Sequence, residues 1–234
     1  MTIQAHETNE PVTVRTELIL ARHGQGACNA QGVIGGDRGC TGLSAWGAEQ
    51  SHRIAHRLAG MHASRPFDAL LSTPRLRVRQ SAEIIGARLD LPVTVIQALR
   101  GQDFGAADGQ LWRDVTAAFG GPPTHDPDRP IAEGAEPWNG YAGRVVAALI
   151  GLLIMHEGQR LLLVAHGKTI ALACALLQGA PHPADAVADF AGDHGALTHW
   201  QCLVGPGGLG WWSLERHNDQ SHLIGATPPV PATG

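Results

Sequence analysis

The sequence predicts an α/β layered domain. Short apolar runs that read as strands alternate with longer stretches of helical period, and that alternation is the signature of the class. Two of the apolar runs, Leu18–Ala21 and Leu161–Ala165, end in His-Gly, at His23-Gly24 and His166-Gly167. The length, 234 residues, allows one large domain or two small ones.

Residues 1–15 read as a flexible polar lead. Glu17 to Ala21 is a buried strand, and residues 24–43, rich in Gly and small polar residues, are a long loop. Ser44 can cap a helix running to about Leu58. Phe67 to Leu71 is a second strand. Pro74 opens a helix, where its missing N–H does no harm, and that helix runs to about Leu89. Pro92 to Ile96 is a short β-branched strand. Residues 101–137 hold Gly, Pro and Asp with a short helix over Leu111–Phe119, and a segment of this length in a compact domain reads as a lid. Pro137 to Glu157 is a helix stopped by Gly158, Arg160 to Val164 a strand and Lys168 to Leu177 a helix. Thr198–Val204 and Gly210–Leu214 are two late strands. Residues 226–234 form a Pro-rich tail, so a single domain is expected over 16–225.

Net charge is −4, which supplies no field to gather nucleic acid or an anionic membrane. The cations are sixteen Arg and one Lys, Lys168. Compositional bias explains that ratio, although Arg also suits forked binding of phosphate. Cys28, Cys40, Cys174 and Cys202 form no C-x-x-C pair, so free thiols in a reducing cytoplasm are expected, with a Cys28–Cys40 disulfide as the weaker alternative. No signal peptide is read in Met1–Val14, and no run is read as reaching the ~18 apolar residues of a membrane span.

In open α/β sheets, sites gather beyond the carboxyl ends of strands. Arg22, His23, Ser72, His166 and Gly167 all fall there. A neutral imidazole fixed at one nitrogen can attack phosphorus with the other and carry the phosphoryl group. Guanidinium groups nearby would neutralise the transition-state charge. Arg22 stands beside His23, and Arg75, Arg77 and Arg79 follow the second strand. The two rings are expected to face each other around one tetrahedral anion and to open to solvent.

These motifs together resemble those of the histidine phosphatase superfamily, also called phosphoglycerate-mutase-like. Arg22-His23-Gly24-Gln25 with Asn29 resembles its R-H-G-x-x-x-x-N signature. The run Ser72-Thr73-Pro74-Arg75-Leu76-Arg77-Val78-Arg79-Gln80-Ser81-Ala82 is similar to S-S-P-L-x-R-A-x-Q-T-A. Val164-Ala165-His166-Gly167 resembles the second-histidine motif, Gly134-Ala135-Glu136 with Arg144 the G-G-E…R element, and Asn218-Asp219-x-x-His222-Leu223 a frequent C-terminal element. The resemblance implies a three-layer αβα sandwich with a mostly parallel sheet. It implies that His23 is the phosphorylated nucleophile and that Arg22, Arg77 and His166 surround the phosphate. Asn29, Gln25 and Gly167 join the binding set, and neither metal nor cofactor is called for. Arg75 and Arg79 then read as solvated helix positions.

One departure affects the chemistry. The family's acid glutamate, in L-x-E, aligns with Gly101 in Leu99-Arg100-Gly101. General acid help is worth roughly 100- to 10,000-fold. Asp103, two residues on, is the candidate substitute, with Glu136, Asp108 and Asp37 behind it. Gly26, where the family often has Thr, is a milder departure.

The expected function is hydrolysis of a small-molecule phosphomonoester through phosphohistidine. Phosphomutase activity is an alternative, and so is a catalytically weak phosphoester-binding or regulatory protein lacking the acid. A dedicated phosphoglycerate mutase would carry a longer insertion near the lid. Within the lid only Arg113 and Arg129 are basic, which argues against a highly anionic bisphosphate. The expected partner is a phosphate ester, with no nucleic acid and no membrane, and a homodimer stays open. Gly24-x-Gly26-x-x-Asn29 lacks the third glycine and later acid of a dinucleotide fingerprint. His52 and His56 have metal spacing but no third ligand and read as solvated, as do His194 and His199. Trp112, Phe119 and Trp138 line a pocket or cap the core, Trp211 and Trp212 pack on the sheet edge, and His217 and His222 are structural.

Overall fold

The computed structural model describes residues 11–122, 126–180, 190 and 192–226. A six-stranded sheet forms its centre, ordered β3-β2-β4-β1-β5-β6. The strands are β1 (Thr13–Arg22), β2 (Ala69–Ser72), β3 (Val93–Val95), β4 (Arg160–Ala165), β5 (Leu197–Val204) and β6 (Gly210–Asp219). The first four run parallel, and β5 pairs antiparallel with both β1 and β6. The helices are α1 (Ala27–Ala30), α2 (Ala45–Ser64), α3 (Leu76–Leu89), α4 (Trp112–Phe119), α5 (Trp138–Met155) and α6 (Gly167–Leu177).

Period-two alternation along β1 builds the two faces. Leu18 and Leu20 join Tyr141, Val145 and Leu149 of α5 and Ile170 of α6 on one side. Ile19 and Ala21 join Ile54 and Leu58 of α2 and Val78 and Ile85 of α3 on the other. Helices cover both faces, giving the three layers expected, with β2, β4 and most of β1 buried on both sides and β3 exposed at the edge.

Several boundaries move. β1 begins at Thr13, so residues 13–15 of the expected lead are strand, paired through Thr13–Val204 and Val14–Leu203 with β5. Residues 1–10 of that lead and 227–234 of the tail lie outside the described residues. Ser44 caps α2 as expected, accepting from Gly47 N–H at 3.0 Å, but the helix continues to Ser64. The loop 24–43 contains α1. Lid segment 101–137 carries α4 and a small core of its own, in which Ile34, Phe104, Val115, Phe119 and Ile131 meet.

Contrary to expectation, α5 is long and apolar enough to cross a membrane by length and composition, with 18 residues of mean hydropathy 1.4. Its Tyr141, Val145, Leu149 and Leu152 are buried in the sheet-facing core, and Ile154 and Met155 at its end are exposed.

Candidate active site

Adjacent parallel strands deliver the two imidazoles. Arg22 on β1 is the register partner of Ala165 on β4, so His23 and His166 are the next residues of neighbouring strands. His23 N–H donates to Ala165 C=O at 3.1 Å, carrying the pairing one step past the sheet. The rings lie edge to face with centroids 5.2 Å apart.

Hydrogen bonds fix both tautomers. His23 Nδ1–H donates to Gly24 C=O at 2.6 Å, which leaves the Nε2 lone pair free of a proton. Arg77 Nε–H donates to that Nε2 at 3.2 Å. Arg77 Nη2 lies 3.3 Å from His166 Nδ1, and since guanidinium only donates, the His166 proton sits on Nε2. His166 Nε2 and Arg22 Nε are buried with no hydrogen-bond partner among the described residues. Such orphaned donors are costly in a dry site, and an anion would satisfy both. Burial first, then the Arg77 charge, holds both imidazoles well below their ordinary range, so both are neutral near pH 7.

Three guanidinium groups surround the rings. Gly167 opens α6, and a Cβ there would meet Arg22 Nε at 3.3 Å, so Arg22 lies across the helix N-terminus. Arg77 bonds Gly35 C=O at 2.8 Å. Arg75 corrects the sequence reading. It is buried at 6 % exposure rather than solvated, and its Nη1 donates to the same Gly35 carbonyl at 3.2 Å. It precedes α3 with extended backbone, φ −68° and ψ 138°, outside the helical phase. Arg79 follows the expectation, half-exposed and 3.7 Å from Glu83.

Gly101 faces this cluster. A Cβ on it would stand 2.9 Å from Arg75 Nη1 and 3.0 Å from His166 Nε2. The expected carboxylate substitutes are engaged elsewhere. Asp103 is exposed, accepts from Gly105 N–H at 2.9 Å and lines a groove of about 390 Å³ with Asp37, Asp108 and Glu133. Two steps along the chain do not carry it to His166: Gly101 is buried against His166 Nε2, whereas Asp103 is exposed. Glu136 is forked on Arg144 at 2.8 and 3.0 Å. Asp108 accepts from Gly36, Arg38 and Gly39 N–H, and these bonds outweigh its burial and hold its carboxyl below the usual range. Asp37, 83 % exposed, takes the Nε and Nη2 edge of Arg75.

Two other expected binders also bond within the scaffold. Asn29 Oδ1 accepts from Gly26 N–H at 3.0 Å and caps α1. Gln25 Oε1 accepts from Ser44 Oγ at 2.9 Å at the start of α2. His52 and His56 are exposed, and no group of three metal-ligating residues occurs among the described residues. The cysteines are free thiols.

His194 and His199 correct the reading as surface groups. His194 lies 5.3 Å from the His23 ring and 3.1 Å from Arg22 Nη2, and burial brings it down to about 4. His199 is within 3.3 Å of buried Glu17. Arg22 also bonds Gly192 C=O, and the 192–195 segment is held by Asn218 on Asp193 and by His222 on Gly195 C=O. This closure leaves His23 at 2 % and His166 at 7 % exposure, so the expected opening to solvent is not met in this conformation. Lys168, missed as a site residue, donates to Gln102 Oε1 at 2.9 Å. It sits 5.1–5.8 Å from the rings of Trp138, Trp112 and Phe104. Its position two residues after His166 was the available signal. Trp112 and Trp138 thus frame this amine, whereas Phe119 closes the lid core.

Comparison with known proteins finds a matching family and related folds. The sequence profile of the Histidine phosphatase superfamily (branch 1) matches residues 18–218. The chain is 29 % identical over 160 residues to the metal-independent phosphoserine phosphatase of Arabidopsis thaliana, covering 66 % of each chain. It is 28 % identical over 184 residues to the adenosylcobalamin/alpha-ribazole phosphatase of Escherichia coli, covering 77 % of this chain and 87 % of that one. The alpha-ribazole phosphatase structure from Shigella flexneri superimposes with a TM-score of 0.71 at 24 % identity, over 87 % of this chain and 96 % of that one. Bacillus stearothermophilus YhfR does so with a TM-score of 0.71 at 20 % identity, over 89 % and 99 %. At these identities the structural matches establish the fold.

Proposed function

Because the chain belongs to the histidine phosphatase superfamily, branch 1, we propose that it is a phosphatase that hydrolyses a small-molecule phosphomonoester through phosphohistidine at His23. The carrying observation is the fixed tautomer: Nδ1–H is held by Gly24 C=O, and the Nε2 lone pair faces Arg77 and His166. Arg77 moves its Nε–H from that lone pair to a phosphoryl oxygen as substrate arrives. Arg22 Nε–H and His166 Nε2–H, both without partners among the described residues, take further oxygens as charge develops. His23 Nε2 then attacks phosphorus in line, the bond to the leaving oxygen breaks, and water later displaces the imidazole. Substrate access parts Arg22 from His194 and the Gly192 carbonyl. The lid over 101–137 sets substrate choice.

Mass spectrometry of protein quenched during turnover of p-nitrophenyl phosphate tests this. The wild type should carry one acid-labile phosphoryl group, and His23→Ala none. If the wild type binds inorganic phosphate but stays unlabelled with every substrate, the reading that replaces ours is a phosphoester-binding protein, which the glycine at 101 favours. The relatives' substrates, phosphoserine and α-ribazole phosphate, head the panel.

A further inference from the structure

The leaving-group side of the site carries cations where an acid would be needed for an alkyl ester. Departure of an alkoxide requires a proton donor in the transition state, and that help is worth about 100- to 10,000-fold. The backbone position that aims between His166 Nε2 and Arg75 Nη1 is Gly101, which has no side chain. Arg75 fills the space instead. Asp37 occupies its other edge, so Nη1, bonded to Gly35 C=O, is the nitrogen turned toward His166. A guanidinium does not give up its proton in proteins, but it stabilises an oxyanion well. The neutral His166 Nε2–H is likewise a hydrogen-bond donor rather than an acid.

A second cation stands on the same side. Lys168 reaches Gln102, the neighbour of Gly101. Burial lowers its ammonium to about 8, so it is charged at pH 7 and is itself an acid, but Nζ is held by Gln102 Oε1 and the rings of Trp138, Trp112 and Phe104, and the atoms nearest the Gly101 gap belong to Arg75 and His166 instead. The sparse positive charge of the lid is therefore offset by Arg75 from the approach to α3 and Lys168 from α6. Asp103, Asp108 and Glu136 are each bonded away from the cluster.

We infer that the substrate carries its phosphoryl group on an oxygen that leaves as a stable anion, a carboxylate or phosphate oxygen, so that the preferred substrates are phosphoric anhydrides rather than alkyl phosphates. The inference rests on the phosphatase reading and deepens it. The step balances without an acid. The His23 Nε2 pair forms the P–N bond, and the P–O bond breaks with its electrons staying on the leaving oxygen, which Arg75 holds. Water then attacks phosphorus, the P–N pair returns to Nε2, and both hydrogens of the water leave on inorganic phosphate.

Steady-state hydrolysis by the full-length protein tests it, with acetyl phosphate, inorganic pyrophosphate and glycerol phosphate as substrates. The expected result is a kcat/KM at least about 100-fold higher on acetyl phosphate or pyrophosphate than on glycerol phosphate. Whichever anhydride is faster tells whether the leaving anion is a carboxylate or a phosphate. Arg75→Gln should reduce that ratio at least tenfold. Gly101→Glu, which returns a carboxyl to the gap, should reduce it too by speeding the alkyl ester, and it stands in if Arg75→Gln does not fold. A wild-type ratio near one overturns the inference, as does a folded Arg75→Gln protein with the wild-type ratio. If the ratio fails while His23 is still phosphorylated by acetyl phosphate, the phosphatase reading survives. If no substrate labels His23, both fall.

Discussion

Arg77 touches both imidazoles, sharing one guanidinium between His23 Nε2 and His166 Nδ1. It therefore sets the protonation of the nucleophile as well as the charge around the phosphate. After burial, its charge is the largest cause of the low His23 value. Replacing it with Met should cut kcat/KM about 100- to 1,000-fold, the typical cost of one transition-state donor. The same change removes a repelling cation, so the His23 value should rise toward the ordinary 6.5. The acid limb of the kcat/KM profile should then move to higher pH than in the wild type. A Met variant whose acid limb stays in place would show that Arg77 does not govern the nucleophile. The spacing of the motif was enough to single out Arg77. Arg75 was not legible in the same way. Helical phase puts residues 75 and 79 on one face, but Arg75 stands before the helix with extended backbone and follows no such phase. His194 was hidden for a related reason: its place depends on Asn218 and His222 gripping a loop some 25 residues upstream.

At the scale of elements, the strands and helices that bury an apolar stripe were readable from periodicity, and their ends were not. The first residues of β1 are polar and β-branched, and they are strand because β5 supplies partners across the sheet. The lid was readable as a long insertion with one short helix and the Glu136–Arg144 element, but not in how it packs. Its order comes from contacts distant in sequence, chiefly Arg144. That guanidinium forks on Glu136 and also donates to Ala98 C=O at 2.8 Å and Arg100 C=O at 3.1 Å. It fixes the approach to Gly101 and so the gap beside His166. Arg144→Ala leaves Glu136 without its fork and two carbonyls without a donor. The expected cost is about 2–4 kcal/mol in urea unfolding, from one charged pair and its hydrogen bonds. Amide exchange across 98–105 should accelerate more than exchange in the sheet. Uniform acceleration throughout the protein would mean that Arg144 supports the fold at large and not the lid edge.

For the molecule as a whole, the number of neutral buried imidazoles makes stability sensitive to acid. His23, His166, His194, His199 and His222 are all lowered, burial being the first cause in each. In the unfolded chain each would take up a proton near pH 6.5. Below that pH the unfolded state binds more protons than the folded one, so stability falls as pH falls. Each group adds at most about 1.4 kcal/mol per pH unit to that slope while its folded form stays neutral. The carboxyls of Asp108 and Asp219 are also lowered, but their loss begins only near the ordinary carboxylate range. The interval from about pH 6.5 to 5 therefore reports the histidines. Urea midpoints should fall only slightly from pH 8 to 7 and drop steeply from 6.5 to 5. Inorganic phosphate should slow the drop, because a bound anion favours protonated imidazole and offsets part of the penalty. A midpoint that holds level down to pH 5 would mean the rings protonate freely in the folded protein. The closed, neutral site from which the phosphoryl chemistry is built would then not be the state that exists in solution.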